Sequence, residues 1–149
     1  MRTTSSSGLA GCATVLCLLS GLAPAAAATP VAAGITVHLP DRGKVLADGA
    51  GVSVTVTFQC EAGQSYNMFV ELSQAVLDGR TASGVGFAGP GTCTGAAQTE
   101  DLLLMATGGF YAFRSGDSVA RATLSVCPNE QQCSQAMDSG VLELQESFG

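Results

Sequence analysis

The residues of this chain that could take part in catalysis are few and widely spaced. His38 is the only histidine, and no G-x-S-x-G elbow is present to hold a serine nucleophile for it. Glu100 and Asp101 are the only adjacent acidic pair. Because neighbours along a strand point to opposite faces, these two carboxylates cannot act together as general acid and base. The sequence therefore predicts that the protein is not an enzyme.

Patterns that bind metals or phosphates are also missing from the sequence. One histidine cannot build a usual zinc site, the cysteine spacings do not give two close pairs, and no D-x-D-x-D segment marks a calcium loop. The glycine-rich stretch GVGFAGPG (Gly84–Gly91) lacks the strand-to-helix setting and the lysine of a phosphate-binding loop. We therefore predict no cofactor and no metal.

The first 28 residues have the pattern of a secretory signal peptide. Arg2 is followed by an apolar run over residues 9–23 and by small residues up to Ala28, where cleavage satisfies the small-x-small rule. Cleavage after Ala27 or Ala33 would satisfy it too. No second run is long enough to span a bilayer, so we expect a secreted chain without a membrane anchor.

A bacterial lipidation motif is the competing interpretation of the same region. LAGC (Leu9–Cys12) has the required form, but the eight residues before it have almost no apolar content. Cleavage there would also leave an apolar run exposed on the mature chain. We therefore favour the signal peptide, which leaves a flexible lead-in at 29–33 and a single domain at 34–149.

The mature chain is acidic. After loss of Arg2, five Lys and Arg residues stand against twelve Asp and Glu residues, which gives a formal net charge of −7. Nucleic acids and anionic membranes are bound by clustered Lys and Arg, so we expect neither as a partner. A protein, a component of the cell envelope or a second copy of the chain remains compatible with this charge.

Short segments of alternating hydrophobicity run through the mature chain. VSVTVTFQC (Val52–Cys60) alternates without a break, and similar segments occur around Val37, Val70, Leu124 and Leu142. Asp48–Gly49 is a strong hairpin signal. Seven or eight such strands at intervals of about ten residues, separated by glycine-rich turns, predict an antiparallel sandwich or barrel.

The four cysteines of the mature chain, Cys60, Cys93, Cys127 and Cys133, permit three disulfide pairings. An exported chain with an even count favours structural bridges, and no cationic neighbours mark Cys60 or Cys93 as a reactive thiol. Cys127 and Cys133 enclose only five residues. If the strand before Cys60 and the strand after Cys93 are antiparallel neighbours, as in an immunoglobulin-type sandwich, these two cysteines meet. We therefore predict Cys60–Cys93 and Cys127–Cys133.

Three segments together resemble a group of small secreted actinobacterial β-sandwich proteins of unknown function. They are VSVTVTFQCEAGQSYNMFVELSQ, TCTGAAQTEDLLLMAT and FRSGDSVARATLSVCPNEQQC, and the resemblance as a whole spans roughly Val52 to Ser147. The resemblance implies an immunoglobulin-like β-sandwich with the same disulfide pairing, and no known activity. More weakly, GGFYAFRSGD before a strand and a short cysteine loop is similar to the apoproteins of enediyne chromoproteins, whose first bridge closes a shorter loop.

Two groups of apolar residues are candidates for a binding surface. Phe110 and Tyr111 lie between glycines in a chain poor in aromatics and could offer a patch to a ligand or protein, whereas Phe113 fits better as a core residue. Leu103 and Met105 break the alternation of TEDLLLMAT. They form an interface if they face solvent, and belong to the core if a bulge turns them inward.

The function predicted from the sequence is that of a secreted, non-catalytic β-sandwich protein. The first hypothesis is an interaction module that binds a protein, the cell envelope or a second copy of itself. The alternative is a carrier of a small apolar ligand in a cleft near Phe110 and Tyr111.

Overall fold

The computed structural model describes residues 34–107, 111–129 and 132–146, without the side chain of Asp78. The predicted signal peptide at 1–28, the lead-in at 29–33 and Phe110 lie outside the described residues. Two three-residue 3-10 helices are present, at Ala47–Gly49 and Leu77–Gly79. No helix in these three ranges has the length and hydrophobicity needed to cross a membrane.

The alternating segments of the sequence form eight strands within the described ranges. In chain order they are β1 (Thr36–His38), β2 (Arg42–Leu46), β3 (Gly51–Gln59), β4 (Ser65–Ala75), β5 (Thr81–Thr92), β6 (Gln98–Thr107), β7 (Gly116–Asn129) and β8 (Gln132–Glu146). The all-β prediction is confirmed.

The strands form a closed barrel of seven strands, which differs from the predicted sandwich. Neighbours follow the order β3-β2-β8-β7-β4-β5-β6, and β6 pairs in turn with β3 to close the ring. β1 lies on the same edge of β3 as β2, because Val37 pairs with Phe58 and Val45 with Val52. The predicted sandwich would have left the two sheets unconnected at their edges.

Two short pairings close the ring. β2 runs parallel to β8, with Gly43 opposite Leu144, so the prediction of purely antiparallel strands is wrong for this pair. β5 pairs with β6 only near Val85 and Met105. Both closures depend on where the chain crosses between neighbouring strands, and no local pattern in the sequence marks such a crossing.

The core consists of the inward side chains that the alternation predicts. One face of β3, of β4 and of most of β7 is buried, whereas β8 buries only Leu142 and Leu144 near its end. No buried side-chain nitrogen or oxygen in the described ranges lacks a hydrogen-bond partner. Removing these apolar faces from water is the main favourable contribution to the free energy of folding. The largest buried side chains are Phe58, Phe113, Met68, Leu72, Leu102, Leu104, Leu124, Leu142 and Leu144.

Two strands are longer than their sequence pattern predicts. The sequence around Val85 and Phe87 predicts at most a short strand, but β5 extends from Thr81 to Thr92, and its glycine-rich end still pairs with β4 up to Thr92. β8 begins at Gln132, ten residues before Leu142. Glycines and exposed polar residues carry no alternation signal, so these extensions are set by the neighbouring strands.

Both disulfide bridges have the predicted partners. Cys60 bonds to Cys93 with a Cα–Cα distance of 5.6 Å, and both residues are buried where β3 ends and the chain enters β6. Cys127 and Cys133 bridge the β7–β8 hairpin across six positions of sequence. The first bridge therefore links the core across 33 positions, whereas the second reinforces a contact that is already local.

The two bridges should contribute unequally to stability. Replacing Cys60 and Cys93 together by Ala should lower the free energy of unfolding by about 4 kcal/mol, and the same change at Cys127 and Cys133 by about 2 kcal/mol, because the longer loop constrains the unfolded chain more. Urea unfolding of the two double variants measures this difference. Equal losses of unfolding free energy, or a larger loss on removal of the Cys127–Cys133 bridge, would contradict this ranking of the two disulfides.

A tyrosine connects β4 to β6 where β5 diverges from β6. Tyr66 is buried against Phe58, with ring centroids 4.6 Å apart, and its hydroxyl donates a hydrogen bond to Glu100. Burial, followed by the hydrogen bond and the negative charge of Glu100, raises the pKa of Tyr66 to about 12. Ionisation of Tyr66 is therefore coupled to unfolding.

The raised pKa of Tyr66 predicts a loss of stability at alkaline pH. Because the folded pKa lies above the ordinary value of 10.0, this contribution is complete below pH 10 and is lost as the pH rises through 12. Ultraviolet absorbance titration of Tyr111→Phe, in which Tyr66 is the only tyrosine, should give a midpoint near pH 12. Adding Glu100→Gln should lower this midpoint only in part, since burial is the largest cause. A midpoint near 10 before that change would contradict the buried contact.

Candidate functional site

The outer surface of β6 carries two of the predicted candidate residues. β6 pairs with β3 without a break from Gln98–Phe58 to Met105–Gly51. The regular pleat turns Leu102 and Leu104 into the core, and leaves Leu103 and Met105 with 52% and 51% of their surface exposed. The interpretation that these two residues face solvent is therefore the one that the geometry supports, and no bulge turns them inward.

The segment from Tyr111 to Ser115 is anchored at its centre. Phe113 is buried, as the sequence favoured, and its backbone N–H donates to the carbonyl of Gly49 at 2.9 Å. The buried side chain of Gln74 holds Arg114 from both sides, with its Oε1 accepting from the Arg114 N–H at 2.9 Å and its Nε2 donating to the Arg114 carbonyl at 2.8 Å. The loop thus has a fixed path over the barrel end.

Tyr111 lies on the solvent side of this anchor. Its ring is exposed, and the guanidinium carbon of Arg80 lies 5.0 Å from the ring centroid, within the range of a cation–π contact. Arg80 follows the second 3-10 helix, so two connections at the same end of the barrel hold the ring. Phe110, the other aromatic candidate, lies outside the described residues.

The turn between β2 and β3 forms the other wall of this region. Ala47 and Asp48 have φ values of 48° and 54°, a left-handed conformation that is uncommon for residues other than glycine. The carbonyl of Ala50 accepts a hydrogen bond from the N–H of Ala106 at 3.0 Å, which fixes the turn to β6. Such local strain persists where the surroundings hold it, often at binding sites.

A groove lies between this turn, β6 and the loop. Its volume is about 530 Å³, and we call it the Met105 groove. Leu103 lies just beyond it, since a Cβ atom on Gly51 would come within 3.3 Å of Leu103 Cδ1 and 3.7 Å of Met105 Sδ. The groove is lined by Ala47, Asp48, Gly49, Ala50, Met105, Ala106, Tyr111 and Ala112.

The chemistry of the Met105 groove is that of contact rather than of proton transfer. Its side chains are mainly methyl groups, a thioether and an aromatic ring, with Asp48 as the one carboxylate of the lining. A second cavity of about 480 Å³ shares Ala47, Asp48 and Ala112 with it and is also lined by Phe113. The two cavities therefore flank the same turn.

The other residues considered for catalysis lie apart from the groove. His38 is exposed on β1 and pairs with Thr57, towards the opposite end of β3. Glu100 accepts the bond from Tyr66, whereas Asp101 accepts one from the hydroxyl of Thr55 at 2.5 Å. Among the described residues, no group of three or more His, Cys, Asp or Glu side chains could hold a metal ion.

Sequence reasoning missed part of the site. Arg80 and the turn at Ala47–Ala50 take part in it, yet Arg80 lies in a segment without periodicity and Asp48–Gly49 was interpreted only as a hairpin signal. Arg80 lies about thirty residues before Tyr111, and nothing in the sequence around it indicates that the two side chains are in contact. The sequence therefore provides the apolar side chains of the site, and the closure of the barrel provides their neighbours.

Comparisons with known proteins add no family to this description. No family model matches the chain, and a search of curated proteins found no match.

A glycine on β5 tests how the loop is anchored. A Cβ atom on Gly84 would lie 2.9 Å from the ring of Phe113, so Gly84→Ala should displace that ring and lower the free energy of unfolding by about 1–3 kcal/mol. The matched control is Gly140→Ala on β8, where nothing lies within 4 Å of the added atom and stability should change little. Thermal unfolding measures the stability of both variants. Equal losses of stability would refute the close packing of Phe113 against Gly84.

Proposed function

We propose that this protein is a secreted, non-catalytic interaction module that binds a protein or a cell-envelope component through the Met105 groove. One observation carries the proposal: Leu103 and Met105 on β6 and Tyr111 in the segment after it are exposed apolar side chains at or beside the same groove. Contiguous exposed apolar surface on rigidly held loops is typical of binding sites.

The position of these residues on β6 supports a specific role for this end of the strand. The outward side chains nearer the start of the β3–β6 ladder are polar, since Thr57 faces Thr99 and Thr55 faces Asp101. Only at the groove end do Leu103 and Met105 replace them. An outer face that needed only solubility would continue the polar pattern.

The absence of catalysis is part of the proposal and rests on the dispersal of the ionisable groups. A general acid or base must lie within hydrogen-bond reach of the proton that it transfers, and catalytic sites place such groups together in a cleft. His38, Glu100 and Asp101 have separate surroundings, and the Met105 groove holds a single carboxylate. This favours binding over turnover.

Secretion is likewise proposed. Two disulfide bridges suit a protein that folds in an oxidising compartment, and the sequence pattern at 1–28 is that of an export signal.

Kinship with small actinobacterial immunoglobulin-like proteins is also part of the proposal. It is supported by the pairing of β3 with β6 and of β4 with β7, with β8 beside β7, which is the strand arrangement of two facing sheets. On this interpretation the short β2–β8 and β5–β6 pairings join the edges of a sandwich.

A second candidate function is the transport of a small apolar ligand. The volume of about 530 Å³ falls in the range of small-molecule sites, and Tyr111 offers an aromatic surface. Native mass spectrometry of protein purified from its own source separates the two functions. A copurifying small molecule would establish the carrier function. A complex with a macromolecule, in which the protein holds no small molecule, would establish the interaction module.

Substitutions on β6 test the proposed surface. With a partner isolated from culture supernatant or cell wall, the double change Leu103→Ser and Met105→Ser should weaken binding by about tenfold or more, because truncating central apolar contacts removes most of the affinity. Calorimetric titration of purified components measures the loss.

The matched control for this experiment is Leu77→Ser. Leu77 is exposed to a similar degree but lies outside the Met105 groove, so its replacement should leave the affinity unchanged. Binding that survives the β6 changes, or that falls equally with Leu77→Ser, would refute the assignment of the surface.

A further inference from the structure

The outer face of β8, β7, β4 and β5 carries a second apolar surface, distinct from the Met105 groove. We call it the four-strand face. Its most exposed members are Phe87, Met137, Val119 and Val141, at 74%, 69%, 61% and 62% of their surface. Exposed apolar residues of this number on adjacent strands mark an interaction surface rather than scattered exposure.

The strand registers define the order of residues across this face. One row reads Met137, Thr123, Phe69, Phe87 from β8 to β5, and the next reads Ser139, Arg121, Glu71, Val85. A third row reads Val141, Val119, Ser73, Ser83. Met137 and Phe87 therefore occupy opposite ends of one row, and Arg121 and Glu71 lie side by side at the centre.

The central charges are available to a partner. Arg121 and Glu71 are both exposed, and the salt bridge found within the described part of the chain joins Arg42 to Glu143 instead. Two opposite charges beside each other at the centre of an apolar face are self-complementary. A second copy turned over onto the face presents each charge to its opposite.

The charges of Arg121 and Glu71 also favour one of the two possible two-fold axes of such a dimer. A two-fold axis along the strands, between β7 and β4, places Arg121 of one copy over Glu71 of the other, twice. An axis across the strands through the same row would instead place Arg121 over its own copy. Like charges in contact disfavour that arrangement.

The same axis matches the apolar groups. It places Met137 of one copy over Phe87 of the other, a contact between a thioether and an aromatic ring that is favourable in itself. Phe87 is already held by Phe69, whose ring centroid lies 4.7 Å away. The valine row meets Ser73 and Ser83, which add no charge.

The area is sufficient for a specific contact. The exposed parts of the four apolar side chains amount to roughly 450 Å² in each copy. A contact that covers these side chains on both copies, together with the flanking charged groups, would bury roughly 1,000 Å², the size expected of a specific interface.

We infer that the four-strand face is a self-association surface, through which two copies of this chain form a symmetric dimer with reciprocal Arg121–Glu71 contacts. The acidic net charge of the chain opposes association elsewhere, because most of its surface would bring carboxylates together. Arg121, Glu71, Met137 and Phe87, which carry the dimer, are not among the residues that line the Met105 groove, although Val85 at the end of the central row pairs with Met105 on β6.

Charge exchange between copies tests this inference. In sedimentation velocity of the disulfide-bonded protein, Arg121→Glu and Glu71→Arg should each raise the dimer dissociation constant by about tenfold or more, since two attractive contacts become repulsive. An equimolar mixture of the two variants should dimerise again, because both contacts of the mixed pair are attractive. Lys44→Glu, the same charge reversal on β2, should leave the dimer intact.

Each result bears on the inference. Recovery in the mixture, together with a loss of dimer in Phe87→Ser but not in Leu77→Ser, supports it. A wild-type protein that stays monomeric up to about 0.5 mM overturns it, as does a dimer that both single charge reversals leave unchanged. Circular dichroism of each variant establishes that the fold is retained, and the two charge variants serve as independent checks of each other.

Discussion

The unbroken ladder between β3 and β6 is the constraint on which the other features depend. From Phe58 opposite Gln98 to Gly51 opposite Met105, it joins two strands that are separated by the whole of β4 and β5 in sequence. At one end it brings the chain to the Cys60–Cys93 bridge, and at the other it fixes the turn at Ala50 against Ala106. A slip by one residue would exchange the faces of β6 and bury Leu103 in place of Leu102.

The sequence predicts those parts of the fold that are encoded locally. Alternation identifies the inward faces of β3, β4 and β7, and the even number of cysteines indicates two bridges. The extra length of β5 and β8 could not be predicted, since glycine and exposed polar residues pair with neighbours without any periodic signal. The parallel contact of β2 with β8 depends on the crossing at Leu39–Asp41, where the Leu39 N–H donates to Asp138 on β8.

The candidate site likewise has some residues that the sequence indicates and others that only the fold brings to it. Leu103, Met105 and Tyr111 stand out in the sequence because apolar side chains interrupt an otherwise polar pattern. Their neighbours do not, because the Ala47–Ala50 turn and Arg80 approach them only after the ring of strands has closed. The four-strand face is harder still to foresee, since Phe87 and Met137 are far apart in sequence and share a row only because four strands pair in register.

An acidic chain that exposes so much apolar surface must reconcile solubility with association. Repulsion between carboxylates acts over the Debye length of about 8 Å at physiological ionic strength, whereas apolar contact acts only when surfaces touch. Association is therefore directed to places where carboxylates are absent or neutralised. The Met105 groove comes close to this condition, because Asp48 is the one carboxylate in an otherwise alanine-rich lining, and the four-strand face meets it because Arg121 lies beside Glu71. For the proposed binding surface and the proposed dimer, the surface charge thus limits where on the barrel a partner can bind.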